Sequence, residues 1–398
     1  MILCTVGVMA YNEEETIIPV LRALLTQRTY ACSIAEIIVI ASGCTDRTAE
    51  RAAFLARNHP QIRVDVESTR AGKAAAVNRL INLAKGEVIV LVGADTLPDP
   101  SALERLTSPF ADPKIGMTGA RVVPLNSPRS FLGWTIHLLW HLHHRMAMES
   151  PKLGELVAFR NVVPNIPTAT ATDEVALEAT LTAQGYQLAY IPQAMVYNYG
   201  PETVADFIMQ RRRIFAGHLH IAETLGYRTI SMRNSWLMRL GLKFLRRCPL
   251  LLPRLGFAAV LEGYARLLGW YDHLTRHNHR VWQRVESTKQ VQREGHFVRL
   301  VAVICRNKIS ASELLRHAAQ TPVELGTLVW WDMPLSEVVF ALPDAPEKTA
   351  EQQLQLLADH FGPRSRFMIA YRLIEFPIWY APERQVGLES SPVCASPY

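Results

Sequence analysis

Residues 88–100 read Val-Ile-Val-Leu-Val-Gly-Ala-Asp-Thr-Leu-Pro-Asp-Pro. Five apolar residues run without interruption into Gly93, Ala94 and Asp95, and Pro98 prevents the run from continuing. An unbroken apolar run bounded by Gly and Pro is the pattern of a strand buried on both faces at the centre of a parallel sheet. Open α/β sheets bind their ligands beyond the carboxyl ends of the strands, so Asp95 is delivered to the place a ligand would occupy. The same aspartate would also serve as a cap for the turn that follows. The stretch alone leaves both roles open.

The preceding residues supply the rest of such a sheet. Residues 2–10 read as a first strand, and Tyr11, Asn12 and the acids 13–15 open a helix whose apolar positions 17, 20, 21, 24 and 25 keep helical spacing. Residues 35–40 form a second strand, followed by the small-residue loop Ala41-Ser42-Gly43-Cys44-Thr45-Asp46 and a helix over 49–58; a third strand covers 62–66. A further helix begins around Arg70-Ala71-Gly72-Lys73. Strands alternating with helices predict an α/β fold with a doubly wound, mostly parallel sheet. Gly72-Lys73 at a helix start suits phosphate recognition, because unpaired N–H groups and the ammonium point the same way. It is not a P-loop, since the upstream glycine is missing.

Composition narrows the partners. The chain has 398 residues and a net charge of +6. That length allows two or three domains. The charge is too small for a dedicated nucleic-acid protein and suits an anionic substrate or an anionic membrane surface. The six cysteines are scattered, which argues against a disulfide framework and for a reducing compartment. The first residues enter a strand at once, without a basic start and apolar core, so a cytoplasmic location is expected.

Downstream, residues 116–124 read as a strand and 131–148 as a helix carrying Trp134, His137, His141 and His144 at spacings of three and four. Such a stripe is more often a packed helix face than a metal site. Residues 152–160 read as a strand pair or turn, and Asp173-Glu174 opens a helix running to about Gln184. Two short strands, 187–191 and 194–197, precede a helix over 204–217 that carries Gln210-Arg211-Arg212-Arg213-Ile214.

Four features then stand in order: Tyr11-Asn12-Glu13, the 43–46 loop, Asp95, and Asp173-Glu174, with Gln210 and Arg213 after them. Over about residues 1–230 this resembles the GT-A glycosyltransferases of family 2, which use nucleotide-diphosphate sugars. The resemblance implies donor contacts at Ala10, Tyr11, Asn12, Glu13, Ser42, Arg70, Lys73, Ala94, Asp95, Gln210 and Arg213. It implies Mg²⁺ or Mn²⁺ at Asp95, since a leaving diphosphate needs its charge neutralised. It implies Glu174 as the general base of an inverting transfer, with Asp173 as its neighbour. Two adjacent carboxylates repel, so one is expected to titrate high. Three positions depart from the family pattern. Gly93 stands where the first acid of the D-x-D motif is usual, Ala41-Ser42 replaces an acidic pair that contacts the base, and Ile214 replaces the Trp of Q-x-x-R-W. The last change points to single-sugar transfer, or to a lipid or small acceptor. The three arginines 211–213 read either as ligand or membrane contacts or as a solvated basic face.

The second half changes character. Trp236 and leucines 237, 240, 242 and 245 interleave with basic residues, a pattern suited to a membrane interface. Residues 249–270 are apolar but carry Arg254, Glu262 and Arg266, too many charges for a simple span. They read as interfacial helices or as a helical cap folded on the catalytic unit. Residues 282–289 resemble the tail that closes such units. From residue 297 a β-α-β-β-α-β order predicts a ferredoxin-like domain to about residue 380, with helices over 311–319 and 350–361. Residues 334–338 faintly resemble the hairpin of GGDEF cyclase domains, without their glycines or metal-binding acid, so a regulatory or dimerising role is expected. Residues 381–398 read as a mobile tail.

The expected organisation is thus a GT-A unit over 1–230, basic amphipathic helices over 231–292 and a small α+β domain over 296–380. The expected activity is transfer from a UDP- or GDP-sugar to a glycan or lipid-linked acceptor hydroxyl, in polysaccharide or glycolipid synthesis at the inner face of the cell membrane. No nucleic-acid partner is expected, and self-association would run through the C-terminal domain. The rival is a nucleotide-sugar-binding regulator or membrane-surface scaffold without turnover, which Gly93 and Ala41 favour.

Overall fold

The structure is a computed structural model. It describes residues 1–127, 130–232, 252–277, 279, 281 and 288, together with the backbone of strands 298–304, 327–332, 337–343 and 370–374. The 236–247 amphipathic stretch, nearly all of 282–289, the helices expected at 311–319 and 350–361, the 334–336 part of the hairpin and the tail after 380 lie outside the described residues.

The first unit runs β1 (Ile2–Ala10), α1 (Ile17–Leu25), β2 (Cys32–Ser42), α2 (Thr48–Ala56), β3 (Ile62–Glu67), α3 (Lys73–Leu83), β4 (Val88–Gly93), β5 (Thr96–Pro98), α4 (Ala102–Thr107), β6 (Ile115–Pro124), α5 (Phe131–Glu149), β7 (Leu156–Arg160), α6 (Asp173–Ala183), β8 (Gln187–Asn198) and α7 (Val204–Thr224). The sheet order is β3-β2-β1-β4-β7-β6-β8-β5. β1 to β4 are parallel, as the alternation predicts. β7 runs antiparallel between β4 and β6, and β5 runs antiparallel to β8. Val88 to Val92 are all at most 1% exposed, which confirms the two-sided burial read from the apolar run.

The order hides a curl. β4 sits mid-sheet and β5 at the edge, yet only Ala94 and Asp95 separate them. Two linking residues reach about 10 Å at most, whereas four flat strand spacings need about 19 Å. The half-sheet from β7 to β5 therefore bends round until its edge lies beside the end of β4. Asp95 stands in that seam.

Two elements differ from their sequence reading. Residues 187–198 form one strand with a register shift between Ala120 and Arg121 of its partner, rather than two short strands. The last long helix of the unit does not stop at Gly217 but runs to Thr224; a side chain at 217 would lie 2.8 Å from Thr172 Cγ2, so that glycine is a close approach, not a terminator.

Helix α8 (Leu252–Leu274) folds against this unit. Leu261 packs with Leu132, Ile136 and Phe207, and Ala258 with Trp134 and Leu138. Gly269 lets the helix touch α7, since a Cβ there would lie 2.6 Å from the Arg212 carbonyl oxygen. Its other side shows Val260, Tyr264, Leu267, Tyr271 and Leu274, each about half or more exposed. Among the described residues no helix is long and apolar enough to cross a membrane. β9 (Val298–Ile304), β10 (Thr327–Asp332), β11 (Glu337–Pro343) and β12 (Ala370–Ile374) form a second sheet in the order β10-β11-β9-β12, every pair antiparallel.

Candidate active site

Two loops at the ends of β1 and β2 are stitched together. Asn12 accepts a hydrogen bond from the Thr45 amide (2.8 Å) and donates to the Thr45 hydroxyl (3.0 Å). Asp46 accepts from the Glu14 amide at 3.1 Å, and the Thr48 hydroxyl accepts from the Glu13 amide at 2.7 Å. Gly43 holds φ +62°, and a Cβ there would lie 2.6 Å from the Arg70 amide nitrogen. The missing side chain lets the 70–73 segment close over the loop. Arg70 then stacks on Tyr11, its guanidinium carbon 3.5 Å from the ring centroid. Burial holds the Arg70 pKa below its usual range.

Opposite, α3 and α6 aim their N-termini at one another. Lys73 Nζ lies 2.6 Å from Glu174 Oε1 and 3.0 Å from Asp173 Oδ2. Burial alone would neutralise this lysine, but the two carboxylates outweigh it and raise its pKa. Burial also opposes charge on Glu174, and there the Lys73 ammonium wins and lowers the pKa. For Asp173, 1% exposed, burial and the Glu174 charge push the pKa up. One high and one low carboxyl is the split that the adjacent pair predicts. Lys73, read as a diphosphate contact, pairs with both acids and lines the cavity.

Glu155 was missed by the sequence reading. It precedes β7 at φ +61°, a conformation uncommon for a non-glycine residue and one that recurs at functional sites. Burial, then the charges of Asp95 and Glu174, push its carboxyl up to about 7. Arg213 is its counterpart: burial brings the guanidinium down to about 10 against the pull of Glu155, Glu174 and Asp173. The only sequence signal for Glu155 was an acid placed after Gly154 at the mouth of an apolar strand.

These groups line one cavity of about 920 Å³. Of the expected residues, Ala10, Tyr11, Glu13, Ser42, Arg70, Lys73, Asp95, Glu174, Gln210 and Arg213 reach its wall. Three do not. Asn12 is spent on the loop stitch, Ala94 is 1% exposed with its amide donating to the Met9 carbonyl, and Asp173 sits behind Glu174. The Ser42 hydroxyl is buried in the wall with no hydrogen-bond partner among the described residues. Arg211 and Arg212 are no solvated face: they pair with Glu262 (2.8 Å) and with Asp272 of α8. On α5, His137 faces the Asn126 carbonyl oxygen (2.8 Å) and His144 the Tyr190 hydroxyl (2.9 Å).

The metal question turns on Gly93. A Cβ at that position would lie 2.7 Å from Asp95 Oδ1, so the aspartate folds back into the space that a side chain there would fill. A second acid at 93 is sterically replaced by Asp95 itself. Among the described residues no three metal-ligating side chains converge. The site therefore fits a hard cation that takes one protein carboxylate and completes its shell with phosphate and water oxygens, the usual habit of Mg²⁺.

A curled, mostly parallel sheet with carboxylates gathered at its strand ends defines a GT-A glycosyltransferase fold. Residues 5–178 match the family described as glycosyl transferase family 2. The mannosyltransferase PcManGT from Pyrobaculum calidifontis, solved in complex with GDP-Man and Mn²⁺, superposes with a TM-score of 0.53 at 20% identity, covering 69% of this chain and 87% of that one. Poly-beta-1,6-N-acetyl-D-glucosamine synthase from Staphylococcus aureus (strain COL) is 30% identical over 217 residues, 51% of each chain, and the Staphylococcus epidermidis enzyme matches to the same extent. The chain thus spans about half the length of the curated relatives it matches.

Proposed function

We propose that the protein transfers a sugar, with inversion, from a nucleotide-diphosphate donor to an acceptor hydroxyl. The supporting observation is that Asp95, Glu174 and Arg213, which lie far apart in the chain, share one cavity at the strand ends. The Tyr11–Arg70 stack and the unpartnered Ser42 hydroxyl face the same cavity and suit the nucleoside. Arg213 and Arg70 offset the diphosphate charge. A divalent cation at Asp95, when bound, neutralises charge developing on the leaving phosphate. Glu174 accepts the proton of the acceptor hydroxyl as its oxygen attacks the anomeric carbon. The bond from that carbon to the phosphate oxygen breaks, and its electron pair leaves with the nucleoside diphosphate. Both UDP- and GDP-sugars suit the site, and synthesis of a polysaccharide or glycolipid at the inner face of the membrane is the process this chemistry serves best.

The test is a thermal-shift screen of nucleotide sugars with and without Mn²⁺. One UDP- or GDP-sugar should raise Tm in wild type, more so with Mn²⁺, and Asp95→Asn should remove the Mn²⁺-dependent part. A donor shift of equal size with and without the metal would overturn the role given to Asp95.

Glu155 adds a pH signature. Its folded pKa, about 7, lies above its unfolded value, so its ionisation destabilises the fold progressively as pH rises from about 4.5 to about 7. Glu155→Gln should therefore raise stability by about 1–3 kcal/mol at pH 8 and leave it nearly unchanged at pH 4.5. Denaturant melts at the two pH values read this directly.

A further inference from the structure

The turn after β4 offers a cation one carboxylate. Its backbone is anchored on both sides of Asp95. The Ala94 amide donates to the Met9 carbonyl oxygen (3.1 Å) and the Thr96 hydroxyl to the Gly93 carbonyl oxygen (2.9 Å). Gly93 lines the cavity but brings no side chain to it. Mg²⁺ beside substrate phosphates is held by one or two protein carboxylates. A second acid next to Gly93 would therefore strengthen the site, and the strand beside β4 carries one.

β4 and β7 pair antiparallel from Val88 with Arg160 to Val92 with Leu156. The next step of that register sets Glu155 across from Gly93. Residues opposite one another in an antiparallel pair share a face of the sheet, with Cβ atoms about 5 Å apart. The backbone leaves the strand at this point. The Leu156 amide donates to the Gly154 carbonyl oxygen at 2.8 Å, and with φ +61° at Glu155 this closes a γ-turn of the rare, strained kind. Gly154 and Glu155 line the cavity together with Gly93 and Asp95.

The Glu155 carboxylate accepts no hydrogen bond and forms no ion pair of contact distance with a described residue. The strongest charge acting on it is the like charge of Asp95. Lys73 already answers to Asp173 and Glu174, at 3.0 and 2.6 Å. Two carboxylates from adjacent strands thus face one cavity, and a hard cation with oxygen ligands suits them both.

We propose that Glu155 is the second metal-holding carboxylate of this site, supplied across the sheet where the motif on β4 has Gly93. The cation then takes two protein carboxylates, Asp95 and Glu155, rather than the one that the turn provides, and phosphate and water oxygens complete its shell. The task of that cation rests on the transferase reading, but its binding is measured without any donor.

The experiment titrates Mn²⁺ into the purified full chain without nucleotide and counts the free ion by its electron paramagnetic resonance signal. Wild type should bind a single ion. Glu155→Gln and Asp95→Asn should each weaken it about tenfold or more, at least the loss that an outer-shell partner causes. Glu155→Asp keeps the charge on a residue type that adopts positive φ more readily, and should retain part of the affinity. Glu174→Gln removes a negative charge from the same cavity and should change the affinity far less. The Tm of metal-free Glu155→Gln should hold or rise, so that lost binding is not lost folding. In the nucleotide-sugar screen, the same variant should lose the Mn²⁺-dependent part of the donor shift and keep the rest. Wild-type Mn²⁺ affinity in Glu155→Gln, with loss in Asp95→Asn, would overturn the assignment and leave the transferase reading standing. An equal loss in Glu174→Gln would reduce Glu155 to a share of the cavity's charge and overturn it too. A wild type that takes up no Mn²⁺, with or without UDP or GDP, would overturn both this assignment and the metal role of Asp95.

Discussion

Glu174→Gln is expected to lower kcat by roughly 10²–10⁴, the usual contribution of a positioned general base, while the thermal shift given by the donor stays intact. The amide keeps the size of the side chain and loses only its ability to take a proton. A companion variant tests the assignment through pH. Lys73, 2.6 Å from Glu174, favours the ionised carboxylate and holds its pKa down. Lys73→Met removes that cation and should move the rising limb of the pH–rate profile to higher pH. Turnover of Glu174→Gln at the wild-type rate would remove this residue from the mechanism.

The second large effect is structural. Glu262 is the shared partner of Arg211 and Arg266, and all three side chains are at most about a quarter exposed. Glu262→Ala leaves two cations facing each other in the cavity wall and should cost about 3–5 kcal/mol in a denaturant melt. Burial opposes charge on Glu262, but the two guanidinium groups hold its pKa down to about 2. Its contribution is thus complete above the ordinary carboxylate range and is lost only as pH falls towards 2. The surface pair Arg47–Glu50, both partners about two-thirds exposed, is the control, and Glu50→Ala should leave the melt unchanged.

The parallel half of the sheet could be read from residue patterns, because two-sided burial writes itself as an apolar run and each strand here is followed by an amphipathic helix. The antiparallel insertion of β7 and the closure by β5 could not. Both depend on pairing between segments with no local signature, and β5 has only three residues. The sequence reading placed Asp95 and Glu174 at the ends of elements, and both line the cavity. Tertiary contacts left no mark in the sequence. Asn12 also bridges to the Thr45 loop, and Lys73 also pairs with two acids, contacts between residues far apart in the chain. Glu155 becomes visible only when the cavity gathers it. The sequence left Arg211 and Arg212 open between ligand or membrane contacts and a solvated face, because their partners, Glu262 and Asp272, lie 51 and 60 residues further on.

That distance bears on where this protein can be divided. The family resemblance ends near residue 230, and a cut there would look natural. It would sever α8 from α7, strip the partners from two partly buried arginines and open one wall of the cavity. The folded unit is therefore longer than the motifs it carries. With Arg211 tied to Glu262 and Arg212 to Asp272, neither helix can be removed without leaving charges of the other unpaired, so the two stand or fall together.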